Sequence, residues 1–228
     1  MASTKNNLEV LFEDNHLIII NKKSGDLIQG DKTGDKPLSD LVKEYIKDKY
    51  NKPGNVFLGV VHRLDRPTTG VVVFARTSKA LERFNKMLRD KEVDKTYWAV
   101  VKNKPKKKSD TLIGFLLKNP KNNKSTSYSS EVNGSKKAIL HYKLLKSLDN
   151  YHLLEVDLET GRHHQIRCQL SAIGSPIKGD LKYGFDRSNK DGSIHLHARK
   201  IVFTHPVSKE NISIIAPTPN EVIWKACN

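Results

Sequence analysis

His62-Arg63-Leu64-Asp65-Arg66-Pro67-Thr68-Thr69-Gly70 sets one carboxylate among basic and turn-forming residues, just before the apolar run Val71 to Ala75. Pro67 and Gly70 punctuate a tight loop, which puts Asp65 at an exposed strand start rather than inside a helix. A carboxylate between two arginines stays ionised. An ionised, positioned carboxylate serves as a nucleophile, a metal ligand or a general base. The plainer alternative is an acid that caps a turn, and residues further along the chain weigh against it.

Lys95-Thr96-Tyr97-Trp98-Ala99 reads as a strand, so Tyr97 and Trp98 point to opposite faces. One ring is then free to be core while the other faces a groove, where it could stack on a base. Glu159-Thr160-Gly161-Arg162-His163-His164-Gln165-Ile166-Arg167 reads as a strand passing into a helix. Gly161 permits a tight turn there, and a helix N-terminus offers free N–H groups to anions. Arg167, one step beyond the apolar Ile166, is either solvated or reaches across a cleft. In Ile194-His195-Leu196-His197-Ala198 the alternation puts both histidines on one face. With His163 or His164 as a third ligand this suggests a metal, but no carboxylate or cysteine falls at a matching spacing, and none is expected. A kinase catalytic loop fails too, because Leu64 separates Arg63 from Asp65 and no glycine-rich phosphate loop precedes it.

Short elements must position these groups. Leu8–Leu11 and Leu17–Asn21 are expected strands about the turn Glu13-Asp14-Asn15. Leu38, Leu41, Val42, Tyr45 and Ile46 follow helical spacing over roughly 38–50. Val71–Ala75 is an expected buried strand, followed by a helix capped by Ser78 with Leu81, Phe84 and Leu88 inward. Further strands are expected at Lys95–Val101, Ala138–Lys146, Leu153–Leu158, Ile194–Thr204 and Ile212–Ala216. A helix opens near Thr160 and Gly161 with Ile166, Leu170 and Ile173 buried. Thr218-Pro219-Asn220-Glu221 reads as a capping box with proline at the first helical position. Strands outnumber helices, and several are joined by turns too short for a crossover helix. The expectation is an α+β fold with a mostly antiparallel sheet.

The chain has 228 residues, enough for one large or two-lobed domain. Its start shows no secretory signal, and the apolar run Leu17–Ile20 is too short to span a bilayer. Cys168 and Cys227 are too few for a disulfide framework or a cysteine zinc cluster. A cytoplasmic, cofactor-free protein is expected. Lys and Arg exceed Asp and Glu by 15, which points to a polyanionic partner. Residues 102–146 carry twelve lysines against Asp110 and Glu131, a net of +10. Lys102-Asn-Lys-Pro-Lys-Lys-Lys108 and the Asn- and Ser-rich stretch Asn119 to Ser135 make 102–137 a basic, loop-rich segment suited to phosphate contact.

Together, residues 62–70, Lys95-Thr96-Tyr97, Thr160 to Arg167, Gly179-Asp180 with Tyr183-Gly184, Leu196-His-Ala198 and Phe203-Thr-His-Pro206 resemble the RluA-type pseudouridine synthases. The resemblance runs in the family's order from about Leu8 to about Pro217. Two residues depart from the pattern. Lys23 stands in a supporting loop where the family usually has proline, and His163 where threonine is common. The small RNA-binding domain that many relatives carry in front is expected to be absent.

The resemblance implies one catalytic domain over 1–228, a mixed, mostly antiparallel sheet in two lobes around a central catalytic cleft. Asp65 would be the nucleophile that attacks the target uridine at ribose or base. A carboxylate suits the positive charge that develops on the sugar, and an isomerisation calls for no cofactor. Tyr97 would stack on the uracil and assist late proton removal. Arg167 would pair with Asp65 and hold it aimed. Arg63 would fill the gap left by the flipped uridine. His62, Arg66, Arg162, Lys102, Lys104, Lys106, Lys107 and Lys108 complete the expected RNA contacts. The expected partner is ribosomal or transfer RNA, with the protein a monomer needing no protein partner. The alternative is a catalytically inactive RNA-binding or assembly protein on the same fold. The intact set Asp65, Tyr97 and Arg167 favours the enzyme.

Overall fold

The computed structural model describes residues 3–31 and 33–227. In chain order these form β1 (Val10–Glu13), β2 (Leu17–Lys22), α1 (Leu38–Lys49), β3 (Gly59–Val60), β4 (Thr69–Ala75), α2 (Ser78–Arg89), β5 (Val93–Val101) and β6 (Ser109–Asn119). There follow β7 (Lys124–Tyr128), β8 (Lys136–Ser147), β9 (His152–Leu158), α3 (Gln165–Ala172), a 3-10 turn (Leu181–Tyr183), β10 (Leu196–Thr204), β11 (Asn211–Ile215) and α4 (Val222–Cys227). Two compact units result, Met1–Asp94 with Ala198–Thr218, and Lys95–His197 with Pro219–Asn228.

The first unit is organised by β2 and β4. Their residues Leu17–Ile20 and Val71–Ala75 are buried, so both strands are apolar almost throughout rather than alternating with polar positions. Alternate side chains serve opposite faces. Leu17, Ile19, Val71, Val73 and Ala75 pack against Ala80, Phe84 and Met87 of α2. Ile18, Ile20, Val72 and Phe74 pack against Leu38, Leu41, Val42 and Ile46 of α1. The β1/β2, β2/β4, β3/β4 and β10/β11 pairings are all antiparallel.

Several expectations shift by a residue or two. β1 starts at Val10, not Leu8. Helix α2 is capped by Thr77, whose hydroxyl accepts the Ala80 N–H at 3.2 Å, rather than by Ser78. Its buried positions are Ala80, Phe84 and Met87, while Leu81 and Leu88 are half-buried at the margin of the same cluster.

In the second unit β5, β9, β8, β6 and β7 pair in that order, each antiparallel to the next. Segment 102–137 is therefore not a loop throughout, because β6 and β7 form a hairpin within it. Strand β7 reads Lys-Ser-Thr-Ser-Tyr and has no aliphatic residue to reveal it. Its buried Ser125 is satisfied by hydrogen bonds instead: its N–H donates to the Tyr183 hydroxyl at 2.8 Å and its Oγ to the His163 carbonyl at 2.8 Å. Helix α3 starts at Gln165, later than expected, with His164 taking the left-handed conformation before it (φ 54°). Ile173 caps α3 and is exposed, whereas Gln165, Arg167, Cys168 and Gln169 are buried. α4 starts at Val222 rather than at Pro219, and its Trp224 and Cys227 pack on Val100 and Leu153. The overall class is α+β, as expected.

Candidate active site

Asp65 opens a turn closed by the Thr68 N–H donating to its carbonyl at 3.0 Å. Beneath the turn lies Lys22, which is 1% exposed. Its ammonium donates to the carbonyls of Lys23 (3.0 Å), Arg66 (3.0 Å) and Thr68 (2.7 Å). The Gly25 N–H donates to Arg66 O at 3.0 Å, so segment 22–25 supports the loop although Lys23 replaces the usual proline. Burial pulls the Lys22 pKa down to about 8, with the Asp26 and Asp65 carboxylates opposing that shift and Arg66 adding to it. The far end of the loop depends on Gly70 at φ 110°, where a Cβ would meet the Ala198 carbonyl oxygen at 2.3 Å. A cation beneath the turn and a glycine pressed against backbone thus fix the stretch that carries Asp65. Lys22 had no role assigned from sequence; its signal was a lysine ending a strand that opens with four apolar residues.

The neighbouring basic residues differ in their surroundings. Arg63 and Arg66 are exposed, and Arg66 pairs with Asp35 at 2.7 Å. His62 is half-buried and its Nε2 accepts the Val73 N–H at 3.2 Å.

In the second unit Tyr97 is buried on β5 opposite Val156, while Trp98 turns the other way into the cluster of Val100, Leu153 and Trp224. Arg167 is buried on α3, so it is not solvated. Its Nε and Nη2 donate to Asp180 Oδ2 and Oδ1 at 2.7 and 2.8 Å. The guanidinium also lies 5.0 Å from the Tyr183 ring centroid. Tyr183 bonds to His164 Nδ1 through its hydroxyl at 2.9 Å, and burial pushes its pKa up to about 12. Asp180 and Tyr183 were visible only as motif residues; nothing in their spacing identified them as holders of Arg167.

Of the expected phosphate contacts, Lys102, Lys104, Lys106, Lys107 and Lys108 are all exposed. Lys102 pairs with Asp186 and Lys107 with Asp110, the latter at 3.0 Å. Arg162 is exposed as well, with Nε donating to Lys137 O at 2.9 Å. His195 and His197 both adjoin the Trp224 ring, at 5.3 and 5.8 Å between centroids. Among the described residues no group of three or more His, Cys, Asp or Glu is arranged to hold a metal, and no helix is long and apolar enough to cross a membrane.

The fold is that of pseudouridine synthases. A solved structure, human RNA pseudouridylate synthase domain containing 4, superimposes with a TM-score of 0.79 over 96% of this chain and 92% of that one, at 22% identity. The RNA pseudouridylate synthase family model matches residues 16–172, and the chain belongs to this family of RNA-modifying isomerases. An uncharacterized RNA pseudouridine synthase of Synechocystis sp. is 35% identical over 93% of this chain and 66% of its own length. Ribosomal large subunit pseudouridine synthase D of Zymomonas mobilis is 30% identical over 94% of this chain and 70% of its own. The chain thus spans about two thirds of the length of these curated relatives.

Proposed function

We propose that this protein converts specific uridines of structured RNA, ribosomal or transfer RNA, to pseudouridine, and that residues 1–228 act as one catalytic domain. The observation that carries the reading is Asp65 on a turn clamped by a buried ammonium, within the stretch 16–172 that matches the family model. Asp65 attacks the flipped uridine at ribose or base. With attack at C1′, the C1′–N1 bond breaks and its electron pair leaves with the uracil. The uracil rotates, its C5 displaces the carboxylate from C1′, the C5 proton is lost to solvent, and N1 takes up a proton from solvent. The product is an isomer of the substrate, so no oxidant, reductant or second substrate takes part. Tyr97 stacks on the uracil and assists removal of the C5 proton. Arg167, held by Asp180, pairs with Asp65 and keeps it aimed. Arg63 fills the gap left by the flipped base. His62, Arg66, Arg162 and the lysines of 102–108 serve RNA binding, the charged ones as phosphate contacts that position without reading sequence. The protein works as a monomer in the cytoplasm, beside its RNA.

The test is Asp65→Asn, an amide of the same shape that is no nucleophile. Pseudouridine formation should vanish while RNA affinity stays near the unsubstituted level. Repeated turnover by this variant at a comparable rate would remove Asp65 from the role. Pseudouridine maps of cellular RNA with and without the protein identify the target position.

A further inference from the structure

The second unit holds a cavity of about 380 Å³ lined by Lys102, Asn150, Tyr151, Phe185, Asp186 and Arg187. Tyr151 and Phe185 lie 6.5 Å apart between ring centroids and are inclined by 33°, a two-ring apolar wall. Lys178 Nζ sits 5.8 Å from the Tyr151 ring, with Asn189 Oδ1 2.6 Å away, and its pKa is lowered first by burial and further by nearby Arg187. Lys102 and Arg187 stand exposed at the rim. Asp186 pairs with Lys102, but its side chain is 67% exposed, so water screens that pair. An aromatic wall with a cationic rim is the chemistry of a base-stacking site with phosphate contacts. The volume suits one nucleotide and lies in the range of small-ligand sites. Lys102 is five residues beyond Tyr97 on the same chain segment, roughly 16 Å at the strand rise, too far for one nucleotide to serve both.

We propose that this cavity is an accessory RNA subsite, which takes one unpaired nucleotide of the bound RNA with its base on Tyr151 and Phe185 and its phosphate between Lys102 and Arg187. The inference rests on the reading that the chain acts on RNA, and it adds a contact outside the uridine-converting residues. None of Asn150, Tyr151, Phe185 or Arg187 belongs to the motifs that carry the family resemblance.

The probe is a fluorescent octaadenylate, which contains no uridine, compared with an abasic octamer of the same charge. Loss of one stacked base through Tyr151→Leu should weaken octaadenylate binding about five- to a hundredfold, while Tyr151→Trp keeps it within about twofold. Arg187→Gln, at an exposed position, should lower the slope of log affinity against log salt by about 0.7. Abasic and adenylate octamers that bind the unsubstituted protein equally tightly would overturn the subsite without any variant, and so would unchanged affinity in Tyr151→Leu. Pseudouridine formation by the unsubstituted protein is measured alongside. Its presence with an indifferent Tyr151 refutes the subsite alone. Its absence with Tyr151-dependent binding refutes the proposed activity and leaves the subsite standing.

Discussion

Replacing Arg167 with Met strips the guanidinium from a carboxylate that cannot reach water. The Asp180 side chain is 1% exposed and receives two parallel bonds from Arg167, at 2.7 and 2.8 Å. Removing one partner of such a pair costs about 3–5 kcal/mol, because the other stays buried and charged. The contact of the guanidinium with the Tyr183 ring at 5.0 Å is lost too, at about 0.5–2 kcal/mol. Native domains have about 5–15 kcal/mol in all, so the single variant should be severely weakened. Arg167→Met combined with Asp180→Asn removes both charges of this pair and should regain about half of the loss. Urea unfolding followed by intrinsic fluorescence reports on the right part of the chain, since both tryptophans, Trp98 and Trp224, lie in the second unit. A loss below about 1 kcal/mol in the single variant, or strictly additive losses in the double, would refute the buried-pair reasoning. Activity separates structure from chemistry. On the proposed role of Arg167, the double variant recovers stability yet forms no pseudouridine, and an active double variant would take Arg167 out of the reaction.

Lys22 should make stability rise with pH. Its folded pKa of about 8 lies below the ordinary 10.5, so between those values the unfolded chain binds the extra proton. Unfolding free energy should climb by up to about 3 kcal/mol across that window, a gain that Lys22→Met should lack in the same titration. Gly70→Ala should leave little folded protein, because its Cβ would fall 2.3 Å from the Ala198 carbonyl oxygen at a φ that disfavours side chains; a thermal midpoint near the unsubstituted value would contradict this. Changing Lys102, Lys104, Lys106, Lys107 and Lys108 to Gln should flatten the salt dependence of RNA binding. With Lys107 already paired to Asp110, the other four lysines at about 0.7 each give a slope change of about 3, and an unchanged slope would mark the loop as a solvated face.

Short-range pattern carried much of the fold. The buried runs of β2 and β4, the helical spacing of α1 and the strand positions of β5, β8 and β9 follow from which residues must leave water. Where the pattern failed, polarity was the reason. Ser125 is buried by hydrogen bonds rather than by apolar surface, so β7 looked like loop. The start of α3 was misplaced because the turn runs on past Gly161 to His164, a non-glycine at positive φ.

For the site, sequence alone determined the residue types and their order: a carboxylate in a basic turn, a tyrosine on a strand, an arginine after an apolar helix position. These were enough to place the chain in its family, because a motif is local and its residues are read in order. The tertiary structure decided the partners. Lys22 reaches the Thr68 carbonyl across 46 residues, and Arg167 meets Asp180 across 13. Such choices depend on which buried groups would otherwise lose water without compensation, and that balance exists only once the distant segments have been packed together.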